Sequence, residues 1–170
     1  MKTRTITIHK DQVYKQINAI TYKFRDAMAE GLSPRSGNAI ESDTDEDVDG
    51  RLIARYVDLR YARLMKRLMF CLLPEIIEDA DNTIEVTEDY IFNLNLKDDF
   101  LDSMLHPIAT YIHEYLIRGA LFDWYASMGS NEASAYADAS DLENDIVGLL
   151  RGKSAVQAPL QPFGPRHKIF

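Results

Sequence analysis

Tyr111-Ile112-His113-Glu114-Tyr115-Leu116-Ile117-Arg118-Gly119-Ala120-Leu121-Phe122-Asp123-Trp124-Tyr125 decides how the chain folds. Within a helical pattern running from roughly Asp99 to Met128, Leu101, Leu105, Ile108, Ile112, Tyr115, Gly119 and Phe122 recur at steps of three or four and form one apolar stripe. Leu116, Trp124 and Tyr111 widen it, which predicts a helix buried on much of its circumference. Pro107 suits a first helical turn, so the regular part is expected to begin there. Gly129 stops the pattern.

Working outward from this stretch, Ser130 or Asn131 is the expected cap of a last helix reaching about Leu150. Its inward residues are expected to be Ala133, Tyr136, Ala137, Ile146 and Leu149, with Gly152 as the stop. Upstream, residues 83–87 and 90–96 read as two short strands, the second ending in the alternation Ile91-Phe92-Asn93-Leu94-Asn95-Leu96. Before them a helix is expected from about Asp47 to Leu73. Leu52, Ile53, Tyr56, Val57, Leu64, Leu68 and Leu72 mark its apolar face, and Pro74 ends it. Residues 3–8 are rich in Thr and Ile and read as a strand. A helix follows from Asp11, its expected N-cap, through Val13, Ile17, Ile20 and Phe24 to Gly31. The expected fold is therefore mostly α: a bundle of about four helices with a short N-terminal strand and a small β-hairpin. It occupies residues 1–152 as one domain.

Two segments stand outside this pattern. Residues 31–50 are polar, and six of the nine from Glu41 to Asp49 are acidic. They have little to bury and read as a linker. Residues 153–170 are broken by three prolines and read as an extended docking tail. This tail nevertheless carries Phe163, Ile169 and Phe170, together with Arg166, and apolar side chains of that size are expected to anchor on a neighbouring subunit or partner, with packing on its own domain or plain disorder as the alternatives.

The formal net charge is −8. That argues against general nucleic-acid binding, which draws its affinity from clustered Lys and Arg. The single cysteine, Cys71, sits in the apolar run Met69-Phe70-Cys71-Leu72-Leu73 and reads as a small core residue rather than a nucleophile. The N-terminus lacks a signal-peptide core, and no stretch approaches a membrane span, so synthesis in a reducing cytoplasm and no membrane partner are expected.

Asp45-x-Asp47-x-Asp49-Gly50 opens like a calcium loop, but the closing bidentate glutamate is replaced by Tyr56. Acidic residues before a helix also favour its positive end, and that is the preferred reading. His113-Glu114 begins like a zinc-binding helix, yet Ile117 stands where the second histidine is needed. No phosphate loop, serine elbow or dinucleotide fingerprint occurs, so neither cofactor, metal nor catalytic residue is expected. The concentrated basic feature is Arg51, Arg55, Arg63 and Arg67, with Arg60 and Lys66 nearby. This row is expected either to pair with Asp47, Asp58 and the acidic linker or to meet an acidic partner surface.

The order of elements, together with the closing pair Tyr111 to Tyr125 and Asn131-Glu-Ala-Ser-Ala-Tyr-Ala-Asp-Ala-Ser-Asp-Leu142, resembles small proteins encoded beside the capsid genes of phages and prophages of Bacteroidales-type hosts. Those proteins are in turn similar to head–tail connector (adaptor) proteins of tailed double-stranded DNA phages. The resemblance spans about residues 3–150 and rests on the Trp124-Tyr125 helix end followed by an Ala-rich helix. It implies a virion structural protein, assembled as a dodecameric ring of copies beneath the portal. The implied partners are other copies, the portal protein and tail proteins, and DNA passes through an acidic lumen without specific binding. The resemblance also implies that the tail clasps the portal through Phe163, Arg166, Ile169 and Phe170. A different head- or tail-completion protein, or a helical protein-binding adaptor unrelated to phage, are the alternatives.

Overall fold

The computed structural model describes residues 1–29, 48–73, 86 and 88–152. Among the described residues the chain is mostly helical, with four α-helices and one small antiparallel sheet: β1 (Lys2–Ile8), α1 (Lys10–Ala29), α2 (Val48–Leu68), β2 (Tyr90–Leu96), α3 (Leu105–Ser127) and α4 (Ala139–Leu150). The four expected helices are all present.

α3 is the hub. It packs against α1, α2, α4 and β1, and Ile108, Ile112, Tyr115, Leu116, Ile117, Gly119, Ala120, Leu121, Trp124 and Tyr125 are all buried on it. Its apolar residues lie on nearly every side, which is why it occupies the centre while more amphipathic helices surround it. Tyr111 and Leu101, both expected inward, are exposed. Leu101 precedes a short 3-10 turn at Asp102–Met104, so the helical stripe does not extend back to it. Gly129 ends the α3 segment at φ +66, a conformation that favours a residue without Cβ.

β2 pairs antiparallel with β1, with Ile6 opposite Phe92 and Ile8 opposite Tyr90. The period-two pattern puts Tyr90, Phe92, Leu94 and Leu96 into the core together with Ile6 and Ile8. The sheet thus joins distant parts of the chain. Of the strand expected at 83–87, only Val86 is described, and it is not in a strand. On β2's other edge the chain leaving α2 makes a bridge, Leu72 with Leu94, through Leu73 N–H to Asn93 O (2.8 Å) and Asn95 N–H to Cys71 O (2.7 Å). This crossing accounts for α2 ending at Leu68 rather than at Leu73. Cys71 is buried there, and burial pushes its thiol up to about 11.

Two capping expectations are corrected. Asp11 lies inside α1 and pairs with Lys15 (3.1 Å). The helix start is instead held by Asp89, which accepts from the Lys10 backbone N–H (3.0 Å) and meets His9 Nδ1 at 2.8 Å. These contacts hold the Asp89 carboxyl below its usual range. Ser130 is a cap, accepting from Glu132 N–H (3.3 Å), but of a 3-10 turn, Asn131–Tyr136, and α4 begins only at Ala139. Ala137 falls in the gap between them and is exposed, against expectation.

Charged residues are built into the interior. Arg60 of α2 is 7% exposed and forms a two-point pair with Asp123 of α3, Nε to Oδ2 2.7 Å and a terminal nitrogen to Oδ1 2.6 Å. Burial pulls the guanidinium's pKa down, and Asp123 more than offsets this, so it ends above its ordinary value. Gly119 makes the approach possible: a Cβ there would lie 2.8 Å from Arg60 Cδ. Asp58, expected to face the arginine row, is buried instead. It accepts from Tyr90 Oη (2.7 Å) and Val86 N–H (3.3 Å) and lies 3.5 Å from Lys10 Nζ.

Candidate functional site

Ala139, Glu143, Ile146, Val147 and Leu150 form the buried side of α4, so a carboxylate occupies a position that the helical repeat reserves for an apolar residue. Glu143 is 4% exposed. Tyr115 of α3 donates its hydroxyl to Glu143 Oε2 (3.1 Å) from within the core. On the outer side two residues of α2 meet the same carboxylate: Arg63 Nε stands 3.1 Å from Oε2 and Arg67 Nε 2.8 Å from Oε1. Arg67 also donates to Asn144 Oδ1 (3.2 Å). Burial, then the charge on Glu143, pushes the Tyr115 phenol up to about 12, so it remains a donor at neutral pH.

Above this anchor lies an open groove of about 410 Å³, lined by Arg63, Lys66 and Arg67 from α2 and by Ser140, Glu143 and Asn144 from α4. Arg63 and Arg67 sit one turn apart, so both guanidiniums reach the same partner. The arginines remain about half exposed. Such a groove binds anions, and planar guanidiniums match carboxylates best.

The predicted site residues divide into three groups. Arg63 and Arg67 come together in the groove. Arg51 and Arg55 lie exposed nearer the start of α2 and form no ion pair among the described residues. Phe163, Arg166, Ile169 and Phe170 lie outside the described residues, as do Asp45 and Asp47. Gly50 lies within α2 rather than at the sharp turn of a calcium loop.

Glu143 is the residue that sequence reasoning missed. Among 27 acidic residues it looked ordinary, and its place on the apolar side of α4 was the signal. Arg60, in register with Ile53, Val57, Leu64 and Leu68, carried the same signal on α2.

His113 sits half-buried on α3, and its Nε2 is buried without a hydrogen-bond partner among the described residues. Burial lowers its pKa from 6.5, only partly opposed by Glu114. The folded protein therefore resists a proton that the unfolded chain accepts. Below about pH 6.5 the unfolded state binds more protons, so stability falls as pH falls through that value. Urea denaturation at pH 7 and pH 5 should show this loss, and His113→Leu should flatten the slope. Asp89, Asp98 and Asp102, whose pKa values are also depressed, act in the same direction, but only near their unfolded value of 3.8 and below.

The resemblance rests on residues that also build the core. Trp124 and Tyr125 are buried with ring centroids 4.6 Å apart, and Tyr125 stacks on Tyr136 at 5.7 Å. Among the described residues no group of three or more His, Cys, Asp or Glu is placed to hold a metal, and no helix is long and apolar enough to cross a membrane. Comparison with family models, with curated proteins and with solved structures finds no match.

Proposed function

We infer that this chain is a structural subunit of a phage virion, a head–tail connector (adaptor) that works by binding copies of itself and neighbouring virion proteins. The observation that carries this reading is the basic ridge of α2, exposed on a chain whose net charge is −8. A positive face on a chain of net negative charge favours attachment to an acidic surface of a second copy. That is the heterologous contact from which rings are built. The interior supports the reading too, because its charged groups are engaged in fixing helices to one another, which suits a rigid wall element. The acidic balance suits a passage for DNA, since phosphate is repelled and slides.

In this reading the segment 153–170 clasps the portal through Phe163, Arg166, Ile169 and Phe170. Deleting residues 153–170 tests it. Assembly on isolated portal rings, followed by negative-stain microscopy, is expected to disappear while the thermal midpoint hardly moves. A truncated chain that still decorates portals would remove the clasp, and a full-length chain that never does so would remove the connector assignment.

A further inference from the structure

The groove between α2 and α4 has more hydrogen-bonding capacity than its own residues use. Arg63, Lys66 and Arg67 face one carboxylate, Glu143, which leaves a surplus of two positive charges. A guanidinium carries five N–H donors. Arg67 donates one of them to Asn144, both arginines meet Glu143 as ion pairs through Nε, and Lys66 makes no ion pair among the described residues. Glu143, held from beneath by Tyr115, positions both guanidiniums at the rim and leaves their remaining donors for a ligand.

We propose that this groove takes the carboxylates of the acidic segment Glu41–Asp49 from a second copy of the chain. Six of that segment's nine residues are acidic, which complements the surplus charge. Chain geometry favours a second copy over the segment's own groove. Arg63 lies fifteen residues beyond Val48 on α2, about 22 Å along the axis. Residues 41–47 span at most about 25 Å fully extended, so only the far end of the segment could reach its own Arg63. A neighbouring copy carries the same six acids without such a tether. The inference rests on the subunit reading above, for which it supplies both sides of the face-to-back contact.

The test titrates a synthetic peptide of residues 40–50 into the full chain by calorimetry at low and high salt. Saturable binding is expected at low salt, weakened at least tenfold at high salt. Arg63→Glu/Arg67→Glu should abolish it. Because that pair leaves Glu143 buried without its arginine partners, Lys66→Glu is the second variant: it leaves the Glu143 contacts intact and should weaken binding about tenfold. No heat with the full chain, or equal binding by Lys66→Glu and the double variant, overturns the proposal. So does binding that, at a dilution where native mass shows single chains, emerges only when the receiving chain's own residues 41–49 are neutralised, which would place its own segment in the groove. Native mass separates this inference from the subunit reading. A chain that assembles but ignores the peptide keeps the reading and loses the inference. A chain that binds the peptide but stays monomeric keeps the groove's ligand and loses the reading.

Discussion

Asp58→Ala is expected to lower the unfolding free energy by about 3 kcal/mol, a large share of the roughly 5–15 kcal/mol that holds a domain of this kind together. Asp58 is the junction of three elements: α2 carries it, β2 supplies the Tyr90 hydroxyl at 2.7 Å, and Lys10 at the start of α1 lies 3.5 Å away. Lys10 Nζ also donates to the Val86 carbonyl and stands 5.7 Å from the ring centroids of Tyr14 and Tyr90. Removing the carboxylate takes this acceptor from a phenol and a backbone N–H, and takes the counter-charge from a partly buried ammonium. Burial, then the hydrogen bond to Asp58, raises the Tyr90 pKa, so the phenol stays protonated and donating. Asp58→Asn keeps an acceptor but loses the charge, and about half the cost is expected. Urea midpoints at unchanged slope are the measurement. Equal stability of wild type and Asp58→Ala would show that the junction contributes nothing.

The second large effect is an asymmetry at the pair Arg60–Asp123. Asp123→Ala should cost about 3 kcal/mol, because it leaves a guanidinium buried at 7% exposure without its counter-charge. Arg60→Met with Asp123→Leu should recover most of that loss, since apolar groups of similar volume need no partner. Gly119 sharpens the test. Arg60 Cδ and Nε lie 2.8 and 2.9 Å from where its Cβ would be, and the pair with Asp123 prevents the side chain from moving aside. Gly119→Ala should therefore be harmful in the wild type and milder beside Arg60→Met. Denaturation of the single and double variants forms a double-mutant cycle, and additive costs would contradict this coupling.

Helix content was legible in the sequence because apolar periodicity is a local property. The stripes of α2 and α3 and the stop at Gly129 could be read directly. Strand pairing was not legible, since the alternation of β2 identifies a half-buried strand but not its partner. β1 fills that place from the far end of the chain, chosen by the matching rows Ile6, Ile8 and Phe92, Tyr90. Half of the candidate site was legible. Arg63 and Arg67 declared themselves by spacing, whereas Glu143 depends on how α4 rotates against α3, a tertiary fact. Asp58 was misassigned for the same reason: it stands beside arginines in sequence, but the packing of β2 and Lys10 against that part of α2 buries it.

If the basic face of α2 binds further copies, as proposed, native mass spectrometry of the 170-residue chain at low salt should reveal it. A discrete closed oligomer near twelve copies is expected, and Arg63→Glu/Arg67→Glu should reduce it to single chains. A monomer mass at every concentration, unchanged by that substitution, would contradict it.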